Sequence, residues 1–274
     1  MRARRFDTVL VRDAAHIRQE LVDVKYVSRL PIVGSMVSPK PRDEDAGRTI
    51  GLDPLRNVPL FRDFEQSELT EVAQLVAMRR YSKHQTIFRE GDPGQTFYLI
   101  LSGSVAIVRV AADGRETILS ILKERDFFGE MSIFDTAVRA ASVRTLTDVE
   151  VGAIERDDFL ALIDRSPRIG RLLVIALSER LRAANKLISA TTSQDIRSRL
   201  ASLLLNLMTN FGEPTTNGTR ITLRLTNQEM ANMIGTTRET VNRTLNRFWD
   251  EHLIDMRTAH VIVVESEKLK ALVP

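Results

Sequence analysis

The sequence of 274 residues predicts an α+β protein with an N-terminal β-roll, a long helix and a C-terminal winged helix-turn-helix. Short β-type runs broken by glycines and Asp-Gly turns fill the first half, which is typical of an antiparallel roll or barrel. A long helical stripe follows, and then two short helical patterns joined by one glycine. We expect an N-terminal extension 1–52, the roll 53–156, the long helix 157–191 and the helix-turn-helix domain 192–274.

Composition excludes several classes of site. The chain has no cysteine, which excludes disulfide frameworks and cysteine-held zinc or iron–sulfur centres and fits a reducing cytoplasm. No run approaches the roughly 20 apolar residues that span a bilayer, so no membrane association is expected. Four scattered histidines give no haem or metal site: His16, His84, His252 and His260. The net charge of +3 is too small to identify a partner.

The extension 1–52 differs from the rest of the chain. It is Arg-rich, then rich in proline and charge, and it lacks the apolar run of a secretory signal. Its acidic residues argue against an organelle transit peptide. Three interpretations stay open: a mobile extension, a start codon placed too early with Met36 as a later candidate, or a partner-binding helix over 7–29.

The roll begins with a predicted helix over 67–78, because Leu69, Val72, Leu75 and Val76 fall on one face. Alternating apolar residues near 97–110 then predict strands. The sequence ADGR at 112–115 predicts a hairpin turn around Asp113. The same pattern of short strands continues to about Ile154.

The region 157–190 predicts one long helix. Its apolar residues recur at alternating spacings of three and four, the pattern of a two-stranded coiled-coil seam: Val174, Leu177, Leu181, Ala184, Ile188 and Thr191. We favour a homodimer seam, although a helix lying on its own domain would show a similar stripe. A second helix is expected over 192–208 with Asp195 near its start, and a Gly/Pro/Asn loop over 209–219 leads to the run ITLRL.

The stretch LTNQEMANMIGTTRETVNRTLNRFW at 225–249 predicts two helices that cross closely. Thr226 and Glu229 form a capping box at the start of the first helix. Gly235 provides the left-handed turn, while Ala231 and Val241 provide a small crossing residue and a β-branched core residue. The strands expected after this helix pair, LIDMRTAHVIVVES, predict a wing.

The second helix of this pair offers one face to a partner. At about 100° per residue, Val241, Leu245 and Phe248 share an arc of ~60°. The polar residues share another arc of ~140°: Arg238, Glu239, Asn242, Arg243 and Asn246. Arg, Glu and Asn can read guanine, cytosine and adenine, and Thr236 and Thr237 can hold phosphate. We therefore expect double-stranded DNA as the partner; the alternative is a solvated flank with ordinary i,i+4 pairs.

A second candidate site lies in FFGEMSIFDTAVRAASV at 127–143. Gly129 and Glu130 open a short helical turn that suits an anion. Arg139, ten residues later, is placed for a bidentate phosphate contact, and Glu130 can accept from a ribose hydroxyl. The alternative is an Arg–Glu ion pair within an empty pocket.

From about Asp53 onward the chain resembles the CRP/FNR family, dimeric bacterial transcription regulators with a cyclic-nucleotide-binding roll and a winged helix-turn-helix. The segments that carry this resemblance are REGDPGQTFYLILSGSVAIV, FGEMSIF with RAA, QDIRSRLASLLLNL and QEMANMIGTTRETVNR. It is closest to the cyclic AMP receptor branch. The implied ligand site comprises Gly129, Glu130, Met131, Arg139, Ala140, Ala184 and Asn185. The implied DNA-reading residues are Arg238, Glu239 and Arg243, within a wider set of Thr226, Gln228, Thr236, Thr237 and Asn242.

The resemblance implies a homodimer that binds TGTGA-type palindromes and responds to cyclic AMP, and it implies no enzyme activity. Ala140 departs from the Ser or Thr that cyclic AMP binders place there, and Ala184 departs from the Thr that faces adenine. A ligand-independent regulator, or one that responds to another effector such as cyclic di-GMP, stays open. The loop 209–219 and the hairpin around Asp113 are implied contacts for RNA polymerase. A hinge is expected over 191–194.

Overall fold

The structure is a computed structural model that describes residues 50–135, 138–193, 195–256 and 260–273, with only the backbone over 186–193. The interpretations of residues 1–49 therefore lie outside the described residues. The described strands form three antiparallel four-stranded sheets, and helices precede, follow and connect them. This confirms the expected α+β class.

The roll is built from two of these sheets. Its helices are α1 Leu52–Arg56 and α2 Gln66–Leu75, with a 3-10 turn at Pro59–Phe61 between them. Its strands are β1 Ala77–Tyr81, β2 Thr86–Phe88, β3 Thr96–Ser102, β4 Ser104–Val110, β5 Glu116–Lys123, β6 Phe127–Phe128, β7 Ser142–Thr145 and β8 Val149–Glu155. The strand orders are β1-β8-β3-β6 and β2-β7-β4-β5. A short helix α3, Met131–Asp135, follows β6.

Strand β3 has apolar residues on both of its faces, and alternate residues pack into two different clusters. Phe97 and Leu99 pack with the helices on one side of the sheet. Tyr98 and Ile100 pack into the interior of the roll on the other side. Both faces are therefore buried, and the strand reads as a continuous apolar run. The hairpin predicted around Asp113 is confirmed, since the Ala111 N–H donates to the Arg115 carbonyl.

The boundaries predicted for two helices before residue 195 were wrong. The helix expected over 67–78 ends at Leu75; Val76 is extended, and Met78 lies in β1 because that strand pairs with β8. The single helix expected over 157–190 is two helices, α4 Arg156–Arg165 and α5 Pro167–Ser193. Pro167 lacks a backbone N–H, and it begins the second helix after the non-helical Ser166.

The C-terminal part holds α6 Ile196–Phe211, α7 Asn227–Ile234, α8 Arg238–Asp250 and α9 Ser266–Lys270. Its sheet has the order β11-β12-β10-β9, from β9 Gly212–Thr215, β10 Gly218–Ile221, β11 Ile254–Asp255 and β12 Ile262–Val263. The wing is confirmed by β11 and β12, whereas α9 was not predicted.

Three boundaries in this part were wrong. Helix α5 runs to Ser193, so most of the expected hinge over 191–194 is helical. The second helix begins at Ile196 rather than 192, with Asp195 as its N-cap. The expected loop 209–219 holds the end of α6 and much of the β9–β10 hairpin, because Thr216 and Asn217 form a tight two-residue turn between the paired residues Thr215 and Gly218 rather than an open loop.

The roll and the helix-turn-helix domain share an apolar cluster. From the second sheet it takes Ala106, Val108 and Ile118, together with Leu146 directly after β7. From the C-terminal domain it takes residues of α6, α7 and α8, including Leu204 and Met230. Polar contacts border it: the Lys123 Nζ donates to the Asn210 carbonyl at 2.6 Å, and the Asn232 amide contacts Glu116. We call this set the shared cluster.

Candidate functional site

The helix pair α7–α8 has the local geometry that its sequence predicts. The Thr226 hydroxyl accepts from the Glu229 N–H at 3.1 Å, and a Glu229 carboxylate oxygen accepts from the Thr226 N–H at 2.7 Å. This confirms the capping box. Gly235 ends α7 with φ 66° and ψ 51°, a left-handed conformation that glycine adopts without steric cost.

The inner side of α8 is fixed by packing. Val241, Leu245 and Phe248 are buried, and Ala231 on α7 is fully buried with them. The Thr237 hydroxyl accepts from the Thr240 N–H at 3.3 Å and caps the start of α8. These contacts set the direction of the helix, so its opposite side has a defined position.

The outer side of α8 presents hydrogen-bonding groups to solvent. Arg238, Glu239, Asn242 and Arg243 are all exposed. Hydrogen bonds from its own backbone N–H and from the Thr237 hydroxyl lower the pKa of Glu239. Its carboxylate therefore stays ionised as an acceptor, which is the form that can accept from cytosine N4.

The remaining predicted DNA-binding residues lie near the start of the helix pair. Gln228 is exposed and donates to the Asn232 side-chain oxygen at 2.8 Å. Asn227, which the sequence analysis did not select, donates to the Asn242 side-chain oxygen at 3.2 Å. Thr236 is half-buried in the turn and Thr226 is exposed. The Asn227–Asn242 contact therefore brings the start of α7 next to the exposed side of α8.

In the roll, Gly129 makes room for Arg139. Gly129 has φ 82°, and a Cβ atom there would lie 2.7 Å from the Arg139 Nη1 and 3.0 Å from the Thr96 carbonyl oxygen. Arg139 itself is held against the loop before β3, since its N–H donates to the Asp92 carbonyl at 2.8 Å. A side chain at position 129 would displace the guanidinium group.

The Arg139 guanidinium group is buried, with 4% of the residue exposed. It donates to the carbonyl oxygens of Gly129 at 2.9 Å and Thr96 at 2.8 Å, and to the Ser132 hydroxyl at 2.9 Å. Its Cζ lies 4.2 Å from the Phe88 ring centroid. Burial lowers the pKa of Arg139. Its Nε is buried without a hydrogen-bond partner among the described residues.

Glu130 is buried and pairs with the long helix. The Arg180 Nη1 lies 3.0 Å from a Glu130 carboxylate oxygen, and the Arg180 Nη2 donates to the Phe127 carbonyl at 2.5 Å. The guanidinium group also lies over the Phe127 ring at 4.5 Å. Arg180 therefore joins α5 to the roll beside Arg139. The sequence left open an Arg–Glu ion pair in this region. In the structure Glu130 forms such a pair with Arg180 and not with Arg139.

The other predicted ligand-site residues are exposed: Met131, Ala140, Ala184 and Asn185. Ala184 lies one helical turn after Arg180, on the same side of α5. Sequence reasoning missed both Arg180 and Ser132. Arg180 carries no motif of its own, and its four-residue spacing from Ala184 was the available signal. Ser132 lies inside the quoted motif but was not assigned a role.

The predicted seam on α5 is uncovered in this chain. Val174 is 63% exposed and Leu181 is 62% exposed, and Ile175 beside them is also exposed. Leu177 is half-buried. The side chains of Ile188 and Thr191 lie outside the described residues. The described part of the seam is therefore a water-facing apolar stripe, which a second helix could cover.

Within the described ranges, no group of three or more His, Cys, Asp or Glu side chains could hold a metal ion. None of the helices that the structure describes is long and apolar enough to cross a membrane.

Comparison with known proteins gives two family matches and several relatives. A cyclic nucleotide-binding domain model matches residues 78–166, and a Crp-like helix-turn-helix domain model matches 198–272. The CRP-like cAMP-activated global transcriptional regulator of Mycobacterium tuberculosis is 35% identical over 215 residues, covering 78% of this chain and 96% of the relative. The Cyclic AMP receptor protein of Thermus thermophilus is 32% identical over 218 residues, covering 80% and 98%.

A solved structure extends the range of effectors among similar proteins. The c-di-GMP responsive global regulator CLP of Xanthomonas campestris has a TM-score of 0.62 and 29% identity, covering 73% of this chain and 99% of that chain. The matched domains and curated relatives are those of transcription regulators, not enzymes.

Proposed function

This chain belongs to the CRP/FNR family of DNA-binding transcription regulators, and we propose that it works as a cytoplasmic homodimer whose DNA binding is controlled by cyclic AMP. The observation that carries the ligand assignment is the environment of Arg139. This cation is buried in the roll, and its side-chain hydrogen bonds go to neutral acceptors.

A cyclic phosphate would satisfy Arg139 better than its present partners do. Charge-assisted bonds from a guanidinium fork to a phosphate are shorter and about twice as strong as neutral ones. The buried Nε, without a partner among the described residues, is a further donor for such an anion. Burial already disfavours the charged form of Arg139, so a bound anion would offset that cost.

The rest of the ligand would lie between the roll and α5. The proposed site comprises Gly129, Glu130, Met131, Arg139, Ala140, Ala184 and Asn185. Glu130 would accept from the ribose hydroxyl while Arg180 holds its other oxygen, and the Asn185 amide would meet the base. Because Arg180 links Glu130 to α5, a ligand that moves Glu130 would also move the long helix.

On DNA, α8 would enter the major groove of a TGTGA-type half-site. Arg238 and Arg243 would donate to guanine edges and Glu239 would accept from cytosine. Thr226, Gln228, Thr236, Thr237 and Asn242 would contact phosphates and neighbouring bases. The exposure of all three reading side chains supports this placement.

Dimerisation would cover the α5 stripe around Val174 and Leu181. The two α8 helices would then lie about 34 Å apart, one turn of DNA. Cyclic AMP would favour DNA binding only if it binds the dimer with this α8 spacing more tightly than a dimer with a different spacing. The β9–β10 hairpin and the turn around Asp113 remain proposed contacts for RNA polymerase.

A second candidate effector is cyclic di-GMP. The similarity to the Xanthomonas campestris regulator, at 29% identity, favours it, as do Ala140 and Ala184, which lack the hydroxyl groups expected for cyclic AMP. A regulator that binds DNA without any ligand would have the same α8 face. These alternatives share the DNA-binding function and differ in the roll.

The test combines calorimetric titration with a gel-shift assay on a palindromic TGTGA probe, using cyclic AMP, cyclic GMP and cyclic di-GMP. We expect heat with cyclic AMP and a ligand-dependent shift. Arg165→Ala removes an exposed arginine of the same domain and should respond as wild type. It is the charge control for the Arg139→Ala variant. Heat with cyclic di-GMP alone, or DNA binding unaffected by every ligand, would overturn the cyclic AMP assignment.

A further inference from the structure

Ala140 leaves the proposed phosphate site without a hydroxyl donor at that position. We propose that Ser132 supplies this donor, binding one exocyclic oxygen of the ligand's cyclic phosphate beside Arg139. The proposal rests on the proposed function, since it assigns a residue to the same ligand site. Unlike the other residues of the proposed site, Ser132 was not selected from any motif or spacing in the sequence.

Ser132 is buried next to the guanidinium group. The residue is 2% exposed, and its Oγ accepts from the Arg139 Nη1 at 2.9 Å. A buried hydroxyl carries one donor and two acceptor lone pairs. Accepting from Arg139 therefore leaves the Ser132 proton free to serve another acceptor.

At present that proton has a weak partner. Ser132 Oγ lies 3.4 Å from the Gly129 carbonyl oxygen, well beyond the usual distance of about 2.7–2.8 Å for a hydroxyl donor. A charged phosphate oxygen is a stronger acceptor than a distant carbonyl. Rotation about the Cβ–Oγ bond would transfer the hydrogen bond without breaking the contact to Arg139.

The geometry places such an oxygen within reach of both groups. Ser132 Oγ and Arg139 Nη1 are 2.9 Å apart. The two N–H groups of Arg139 Nη1 now donate to Ser132 Oγ and to the Gly129 carbonyl oxygen, which lies 2.9 Å from Nη1 and 3.4 Å from Oγ. A phosphate oxygen that displaces this carbonyl can lie about 2.8 Å from both Nη1 and Oγ. Ser132 and Arg139 would thus hold the same oxygen.

Gly94 keeps Ser132 in this position. A Cβ atom at Gly94 would lie 2.1 Å from Ser132 Oγ and 3.2 Å from the Arg139 Cδ. The loop is fixed by the backbone, since the Gly91 N–H donates to the Arg139 carbonyl at 2.9 Å. The hydroxyl therefore lies in a slot formed by a glycine and an arginine, with little room to turn elsewhere.

The test measures affinity for cyclic AMP and for its two phosphorothioate diastereomers, each with sulfur in place of one exocyclic oxygen. Ser132→Ala should weaken cyclic AMP binding about 10- to 100-fold. It should also reduce the wild-type preference between the diastereomers, because only one oxygen faces the hydroxyl. Ser102→Ala, at an exposed position of the same domain, is the matched control and should change neither quantity.

A rescue variant separates binding from folding. Ala140→Ser in the Ser132→Ala background should recover part of the affinity, because it restores the hydroxyl that cyclic AMP binders carry directly after this arginine. Thermal melting of each variant reports whether the fold is kept. If Ser132→Ala weakens both diastereomers equally, Ser132 only positions Arg139 and the proposal is wrong.

The outcomes also distinguish this proposal from the proposed function. Wild-type protein that binds cyclic AMP, with Ser132→Ala binding it equally well, would overturn the role of Ser132 and leave the function intact. Wild-type protein that binds neither cyclic AMP nor its analogues would overturn both.

Discussion

The proposed DNA-binding face of α8 and the proposed ligand site of the roll both depend on arginine and glutamate, in opposite environments. Arg238, Glu239 and Arg243 point into solvent from a helix whose other side is fixed by packing. Arg139 and Glu130 are buried and already hold partners inside the protein. The first set is open to a partner, whereas the second set already makes most of its hydrogen bonds within the chain, with the Arg139 Nε as the exception among the described residues.

This difference indicates where regulation acts. The proposed DNA-binding face is already formed without a ligand, so in the proposed homodimer a ligand would control the placement of the two faces relative to each other. In the proposed site, the ligand would compete with carbonyl oxygens for Arg139 and with Arg180 for Glu130. Part of its binding energy would therefore be used to change internal contacts, which is what a switch requires.

The largest expected effect is at Arg139. Arg139→Ala should lower cyclic AMP affinity at least about 100-fold and abolish the ligand-dependent gel shift, because it removes the guanidinium fork. Arg139→Lys should recover only part of this loss. Calorimetry measures the affinity, and DNA binding without ligand should remain as in wild type. A variant that still responds normally would remove the phosphate assignment.

For the proposed DNA-binding face, Arg243→Ala should weaken the free energy of DNA binding by about 1–3 kcal/mol through the loss of a contact to one base pair. Sequence preference there should relax, because the side chain is exposed and contributes to reading rather than folding. Selection from a randomised half-site measures it. Arg247→Ala, on the same helix but paired with Glu251, is the control and should keep the preference. Unchanged selectivity in Arg243→Ala would count against the docking.

Gly94→Ala tests how closely Gly94 packs against Ser132 and Arg139. The added methyl would overlap Ser132 Oγ, so we expect about 1–3 kcal/mol of destabilisation together with weaker cyclic AMP binding. Gly51→Ala is the control, since a Cβ there would lie 3.7 Å from Pro54, an ordinary contact. Thermal unfolding and titration measure the two effects, and normal behaviour of Gly94→Ala would contradict the tight slot.

The helix cap gives a smaller effect. Thr226→Ala should destabilise the protein by about 1 kcal/mol because the Glu229 N–H loses its acceptor. Thr226→Ser keeps the hydroxyl and should unfold at nearly the wild-type temperature. Equal melting temperatures for all three proteins would show that the capping box contributes little.

The smallest effect is expected for a chain that begins at residue 50. It should dimerise and bind the TGTGA probe as the full chain does, because the proposed seam and the proposed DNA-binding face lie after that residue. Analytical ultracentrifugation and the gel-shift assay check this. Failure would revive the interpretation of 7–29 as a partner-binding helix.

Local signals made the helix-turn-helix predictable. The capping box, Gly235 and the buried side of α8 depend on neighbours within a few residues, so the sequence carries them directly. The roll was predictable as a class for the same reason, through short strands and the turn at Asp113. Residue roles in its pocket depend on contacts across the fold.

The pair between Glu130 and Arg180 joins residues 50 positions apart, and spacing does not indicate it. The inward orientation of Arg139 depends on Gly129 and Thr96 meeting at one point, which follows only once the strands are placed. Pro167 was visible in the sequence, but the prediction of one helix over 157–190 rested on the apolar stripe from Val174 onward and did not take the missing N–H into account. The β9–β10 hairpin was missed because its turn residues also suit an open loop.

The shared cluster has a consequence for how stability is distributed. Since Ile118 of the roll and Met230 of α7 belong to one apolar core, opening either domain exposes surface of the other, and the two should melt together. A nucleotide that binds only the folded roll adds RT ln(1 + [L]/Kd) to its stability. Through the common core, amide hydrogens of α7 would then exchange more slowly, although the proposed ligand site includes no residue of that helix.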